Sequence, residues 1–229
     1  TMKIFSNTGK GLRKTNEDYI KSEILSDSVS LHIVADGMGG YDYGEVASQT
    51  ATEAIFQFLV GSTTQGDIPA LIQQAVEFAN SQILTLRNQY HTKLGTTIAG
   101  VLIIDSTAYA FWLGDVQIQH FRDNKQLFIS ESHTLINEMK KNGHVSVKEI
   151  ERYKHIVTKS LSGTLLDSQL PVVEIQLQQG DTICISTDGL YNSVNPTTLM
   201  LNTETEIIIE LETSSVNNQD NLSIIVLKY

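Results

Sequence analysis

TIAGVLIIDSTAYAFWL, residues 97–113, is two apolar runs joined through Asp105-Ser106. Each run is short and rich in Ile, Val, Ala or aromatic residues, which makes it a strand. Asp-Ser is turn chemistry, and a turn this tight joins antiparallel neighbours. Parallel strands need a crossover of roughly a dozen residues or more, so the stretch predicts a hairpin.

Outward from the hairpin, residues 31–35, 182–186 and 222–227 have the same β-like character, and Asp123-Asn124 forms a second tight turn. Two longer segments carry helical spacing instead. Ala47, Ala51, Ala54, Ile55, Phe58 and Leu59 share one face, and Leu71, Ile72, Ala75, Ala79 and Ile83 share another. The second opens on Asp67 with Pro69 in its first turn, a helix start signal. A weaker helix over 135–142 ends with Lys140 and Lys141 before Gly143, and Ser146 with Glu149 reads as a capping box. Strands, two successive helices, hairpins, a polar helical insertion and closing strands predict an α+β protein: antiparallel sheets covered by helices.

The 229 residues fit one large domain, and nothing marks a boundary inside it. The net charge of −10, from 16 basic and 26 acidic residues, speaks against nucleic acid as a partner, which is held by Lys and Arg on phosphates. An acidic chain still takes an anionic substrate if bound cations reverse the local sign. No run approaches the roughly 18 apolar residues of a membrane span. TMKIFSNTGKG at the start has no apolar h-region, so no signal peptide is expected. The single cysteine, Cys184, excludes an internal disulfide and suits a reducing cytoplasm.

The chemistry lies in aspartates at strand ends. SLHIVA runs into Asp36-Gly37, AFWLG into Asp115 and TICIST into Asp188-Gly189, while Asp220-Asn221 leads into LSIIVLK. Strand ends are rigid, and residues mounted there converge from distant parts of a chain. Hard cations such as Mg²⁺ and Mn²⁺ take oxygen ligands, and four carboxylates suffice for two ions. Taken singly, an Asp-Gly after a strand is more often an ordinary turn, and spacing alone does not bring the four together.

Further fragments add weight in combination: Arg13-Lys14-Thr15-Asn16-Glu17-Asp18, Val34-Ala35-Asp36-Gly37-Met38-Gly39-Gly40, Gly44-Glu45-Val46-Ala47-Ser48 and Gly95-Thr96-Thr97. Leu113-Gly114-Asp115, Ser186-Thr187-Asp188-Gly189-Leu190 and Asp220-Asn221-Leu222-Ser223 follow in order. In sequence and spacing the whole chain resembles the PP2C (PPM) family of metal-dependent protein serine/threonine phosphatases, particularly its small bacterial members.

The resemblance implies a four-layer α/β/β/α sandwich spanning residues 1–229, with a variable flap at about 133–171 and the aspartates in the cleft between the sheets. It implies that Asp36 bridges two Mn²⁺ or Mg²⁺ ions, that Asp188 and Asp220 complete the first, and that the Gly37 carbonyl binds the second. Asp115 with Asp188 would hold a weaker third. Glu17 and Asp18 match the acidic pair that supports the activated water, Asp18 mainly from behind the ligands, and Arg13 matches the arginine that grips the substrate phosphate. The implied reaction is hydrolysis of phosphoserine or phosphothreonine in proteins, in a cytoplasmic monomer opposing a cognate Ser/Thr kinase. A phosphoprotein-binding pseudophosphatase and a hydrolase of a small phosphorylated molecule remain open beside it.

Other phosphatase chemistries lack their residues. Cys-x₅-Arg fails because Leu190 lies six beyond Cys184, and neither Asp-x-Asp nor Gly-x-Ser-x-Gly occurs. Departures from the family pattern fall outside the metal ligands. Tyr41 stands where bacterial relatives commonly carry histidine, Val116-Gln117 replaces Ser-Arg, Ser132 stands where an Asp-His pair often begins, and Lys159 replaces arginine. His32 is expected to be packed or on the surface, and His133 and His144 to face solvent.

Overall fold

A computed structural model describes residues 2–38, 43–62, 66–201 and 204–229. In chain order the strands and first helices are β1 (Lys3–Gly9), β2 (Asp18–Ile24), β3 (Val29–Gly37), α1 (Gly44–Val60), α2 (Ile68–Tyr90), β4 (Thr96–Ile104), β5 (Thr107–Leu113), β6 (Gln117–Arg122) and β7 (Lys125–Ile129). Then follow α3 (Leu135–Asn142), α4 (Val147–Tyr153), β8 (Val172–Gln176), β9 (Thr182–Ser186), α5 (Asp188–Tyr191), α6 (Pro196–Leu201), α7 (Glu204–Asn217) and β10 (Leu222–Lys228).

The strands form two five-stranded sheets, ordered β1-β10-β9-β6-β7 and β2-β3-β4-β5-β8. Neighbouring strands run antiparallel throughout. The two sequence-predicted turns are where the backbone turns left-handed, at Asp105 (φ 54°) and at Asp123 and Asn124 (φ 49° and 60°). Short polar residues tolerate that conformation best.

Three apolar layers account for the four-layer sandwich. Leu31, Ile33 and Ala35 of β3 pack with α1 and α2, whereas Val34 between them faces the other sheet. Ile225 and Leu227 of β10 join that middle layer, while Leu222, Ile224 and Val226 pack against α5–α7 on the far side. Successive strand side chains point to opposite faces, so a strand covered on both reads as an unbroken apolar run. Cys184 is buried in the outer layer, and burial pushes its thiol up to about 12.

The predicted caps are present. Asp67 accepts from the Ala70 N–H at 3.0 Å, and Ser146 and Glu149 make the reciprocal box at the start of α4. The Asp123-Asn124 turn joins β6 to β7 as the hairpin reading requires, whereas β1, β2 and β8 and the bounds of the closing helices α5–α7 were not picked out in the sequence. The segment 133–171 is also better anchored than a polar cover. Leu161 and Leu170 enter the core under α1 and α2. Its backbone is tied to Thr96 at Leu161, and Asn80, Arg87 and Gln73 of α2 bond Thr164, Ser162 and Leu170. No helix among the described residues is long and apolar enough to cross a membrane.

Candidate metal centre

One end of the sandwich collects the predicted residues, because that is where the chain crosses between sheets. Asp36 ends β3 and lies opposite Asp18 of β2 and Thr97 of β4. Asp115 sits in the crossing from β5 to β6. Asp188 lies one residue past the end of β9, beyond Thr187, and Asp220 one residue short of β10, before Asn221, and those two strands are antiparallel neighbours. Arg13 and Glu17 ride on the crossing from β1 to β2.

The electrostatics register the crowding. Burial lifts the Asp36 carboxyl well above the usual range, and Asp18, Asp188, Asp115 and Asp220 add to the lift. Burial, then Asp115 and Asp220, raise Asp188 to about 6 against the pull of Arg13. Burial also raises Asp115, which a bond from the Thr97 side chain partly offsets. Asp18 rises to about 7, again mainly by burial. Its Oδ2 accepts from the Thr187 hydroxyl at 3.0 Å, while its buried Oδ1 has no hydrogen-bond partner among the described residues. Glu17 is raised by burial and by Glu45.

Arg13 is the cation in this group. Its Nη2 donates to Asp220 Oδ2 at 2.8 Å, with both side chains about half exposed. Among the described residues no three carboxylate, imidazole or thiol groups are drawn close enough to share one ion. Like charges repel, and Asp220 is turned toward Arg13. The donor set still fits hard divalent cations: all oxygen, strongly anionic, and with an unpartnered buried carboxylate oxygen beside it. Gly37 adds a close backbone approach. A side chain there would run into the Gly44 carbonyl and come within 2.8 Å of the Glu17 carbonyl.

Several supporting residues escaped sequence reasoning. Asn221 bonds three backbone groups of the β1–β2 crossing: its Nδ2 donates to the Lys10 and Thr15 carbonyls, both at 2.9 Å, and its Oδ1 accepts from the Glu17 N–H at 2.9 Å. Thr96 Oγ1 donates to the Asp36 carbonyl at 2.8 Å. The Tyr191 hydroxyl donates to the Asp115 carbonyl at 3.1 Å, and burial with Asp115, Asp188 and Asp36 holds that phenol protonated. Asn221 and Thr96 belong to noticeable motifs, but only the folded register shows which groups they reach.

The histidines divide. His32 is fully buried between the Ser22 and Ser30 hydroxyls, and burial lowers it to about 4. His144 is exposed as expected. His133 is half-buried rather than fully exposed: its Nδ1 accepts from the Gly114 N–H at 3.0 Å, next to Asp115, and burial lowers it to about 4. Tyr41 lies outside the described residues.

Comparison with known proteins identifies the fold and the family. Residues 10–222 match the protein phosphatase 2C family. The chain belongs to that family of enzymes. It is 28% identical over 200 residues to protein phosphatase PhpP of Streptococcus pneumoniae, covering 85% of this chain and 81% of that one. It is 24% identical over 232 residues to the serine/threonine phosphatase stp of Listeria welshimeri, covering 95% and 91%. Among solved structures, the Streptococcus agalactiae serine/threonine phosphatase superposes with a TM-score of 0.86 at 26% identity, covering 100% of this chain and 99% of that one. The catalytic domain of PstP, solved with two manganese ions, gives 0.82 at 23% identity, covering 99% and 97%.

Proposed function

We propose that this chain hydrolyses phosphoserine and phosphothreonine in proteins, using two Mn²⁺ or Mg²⁺ ions held by Asp36, the Gly37 carbonyl, Asp188 and Asp220. Asp115 with Asp188 offers a weaker third position. The observation that carries this reading is the meeting of carboxylates from both sheets, with Asp36, Asp115 and Asp188 all raised, at one end of a protein phosphatase 2C fold. Bound there, paired divalent cations supply Lewis acidity and an acidified water at neutral pH.

The chain's own residues do the rest. Arg13 presents a planar fork suited to two phosphate oxygens, and it becomes available by leaving Asp220. Asp220, freed in the same exchange, would offer its carboxylate to a cation. Asp18, braced by Thr187 from the opposite sheet, keeps one oxygen free to accept from a water in the cleft. Glu17 is fixed through its backbone N–H to Asn221, so its position follows that of Asp220 next door. The names of the relatives support protein substrates, and PstP supports manganese as one usable ion. A Ser/Thr kinase whose products this chain reverses is the partner this activity calls for.

The test is phosphate release from a phosphothreonine peptide with Mn²⁺, with Mg²⁺ and with chelator. The reading requires turnover with at least one cation and loss with chelator. An inactive wild type under all three conditions rejects it.

A further inference from the structure

The cleft is acidic and the chain carries −10, yet residues 10–14 read Lys-Gly-Leu-Arg-Lys and concentrate three of its 16 basic residues. This loop is held stiffly. The Gly11 N–H donates to the Ser215 carbonyl at 3.1 Å and the Leu12 N–H to the Asn218 carbonyl at 2.9 Å. Asn221 bonds the carbonyls on either side, at Lys10 and Thr15. Gly11 is left-handed at φ +59°, and a side chain there would strike the Asn218 and Asp220 carbonyls, so only glycine lets the loop lie this close to the strand start.

Arg13 aims inward at Asp220, which places the loop on the rim of the metal centre. Lys10 and Lys14 are exposed, and neither has an ion pair among the described residues. Lys21, Lys141 and Arg122, by contrast, each sit on a carboxylate. Leu12 stands 63% exposed between the cations. Charges on a fixed backbone need little reordering to meet a ligand, and screening over about 8 Å confines their influence to whatever lies beside Arg13.

We infer that Lys10 and Lys14 form a fixed basic rim that selects phosphorylated segments with acidic residues beside the phosphorylated one. This rests on the proposed phosphatase activity. The two lysines lie on either side of Arg13 in the chain, so they meet the flanks of a segment whose phosphate Arg13 holds.

The experiment compares kcat/KM of the Mn²⁺-loaded wild type, K10A/K14A and K10E/K14E. The substrates are phosphothreonine peptides with acidic, neutral or basic flanks, and p-nitrophenyl phosphate, which has no flanks. Wild type should prefer the acidic peptide. K10A/K14A should lower kcat/KM on it about fivefold, mainly through KM, with the difference fading at high salt. The neutral peptide and p-nitrophenyl phosphate should be unaffected, and K10E/K14E should shift preference to basic flanks. Equal losses on every substrate would mean the lysines hold the phosphate itself and would overturn the inference, as would no loss on any. Fluorescence anisotropy of the same peptides reads binding without turnover. An inactive chain whose acidic-peptide affinity still drops in K10A/K14A would uphold the inference and reject the phosphatase reading.

Discussion

Asp18 and Asp36 face each other directly across β2 and β3. Two adjacent strands thus deliver a carboxylate each to the same end of one sheet, and Thr187 reaches over from the other sheet to donate to Asp18. The pairing places like charges together in a desolvated corner. Such a corner costs the fold stability unless protons or cations neutralise it.

The pH dependence follows from the direction of these shifts. A carboxyl whose folded value exceeds its unfolded value of 3.8 contributes stability that is complete below that value and is lost as pH rises through the folded one. For Asp188 and Asp18 the folded values are about 6 and about 7. Metal-free protein should therefore lose stability between about pH 4 and pH 7, and Asp36→Asn should flatten the loss. Thermal melts across that range in chelator check this; a wild-type melting temperature that climbs steadily from pH 5 to 7 would contradict it.

Asn221→Ala removes three bonds to the loop that bears Arg13 and Glu17. At about 1 kcal/mol for each net bond, the loss is roughly 3 kcal/mol, read as a lower urea midpoint. Activity per folded molecule should fall too, with KM for phosphopeptide rising as Arg13 loses its placement. Wild-type stability with wild-type KM would show that Asn221 does not hold the loop.

Much of this was legible in the chain because local chemistry agreed with the fold. The Asp105 and Asp123-Asn124 turns, the Asp67 cap and the apolar runs of β3, β4, β5, β9 and β10 each carry their own signal. β1 and β8 were not legible: KIFSNTG and VVEIQ are edge strands with mixed faces. The helix α7 runs ETEIIIELETSSVN, where consecutive isoleucines obscure the helical period. For the site, the aspartates were visible as residues following or preceding strands. The roles of Asn221, Thr187 and His133 depend on register across two sheets, which no single stretch encodes.

At the opposite end of the sandwich, Arg122 holds the fully buried Asp181 in a bidentate pair at 2.7 and 2.8 Å. Burial works against the Asp181 charge, but Arg122, the Gln178 N–H and His120 together bring it down to about 2. Its contribution is present above the unfolded value and is lost only as pH falls through about 2. Arg122→Ala should lower the urea midpoint at neutral pH and leave kcat and KM of the folded enzyme unchanged. A matching drop in kcat would mean that the two ends are coupled.

Calorimetric titration of Mn²⁺ into metal-free protein at pH 7.5 counts the divalent cations that Asp36 and its neighbours hold. Wild type should bind two ions, and Asp36→Ala should lose binding at both positions because that carboxylate is shared. Asp115→Ala should keep the pair and lose only weaker binding beyond it. A wild type that takes up no Mn²⁺, or an Asp36→Ala variant that binds as wild type does, would rule out a shared cation pair at Asp36.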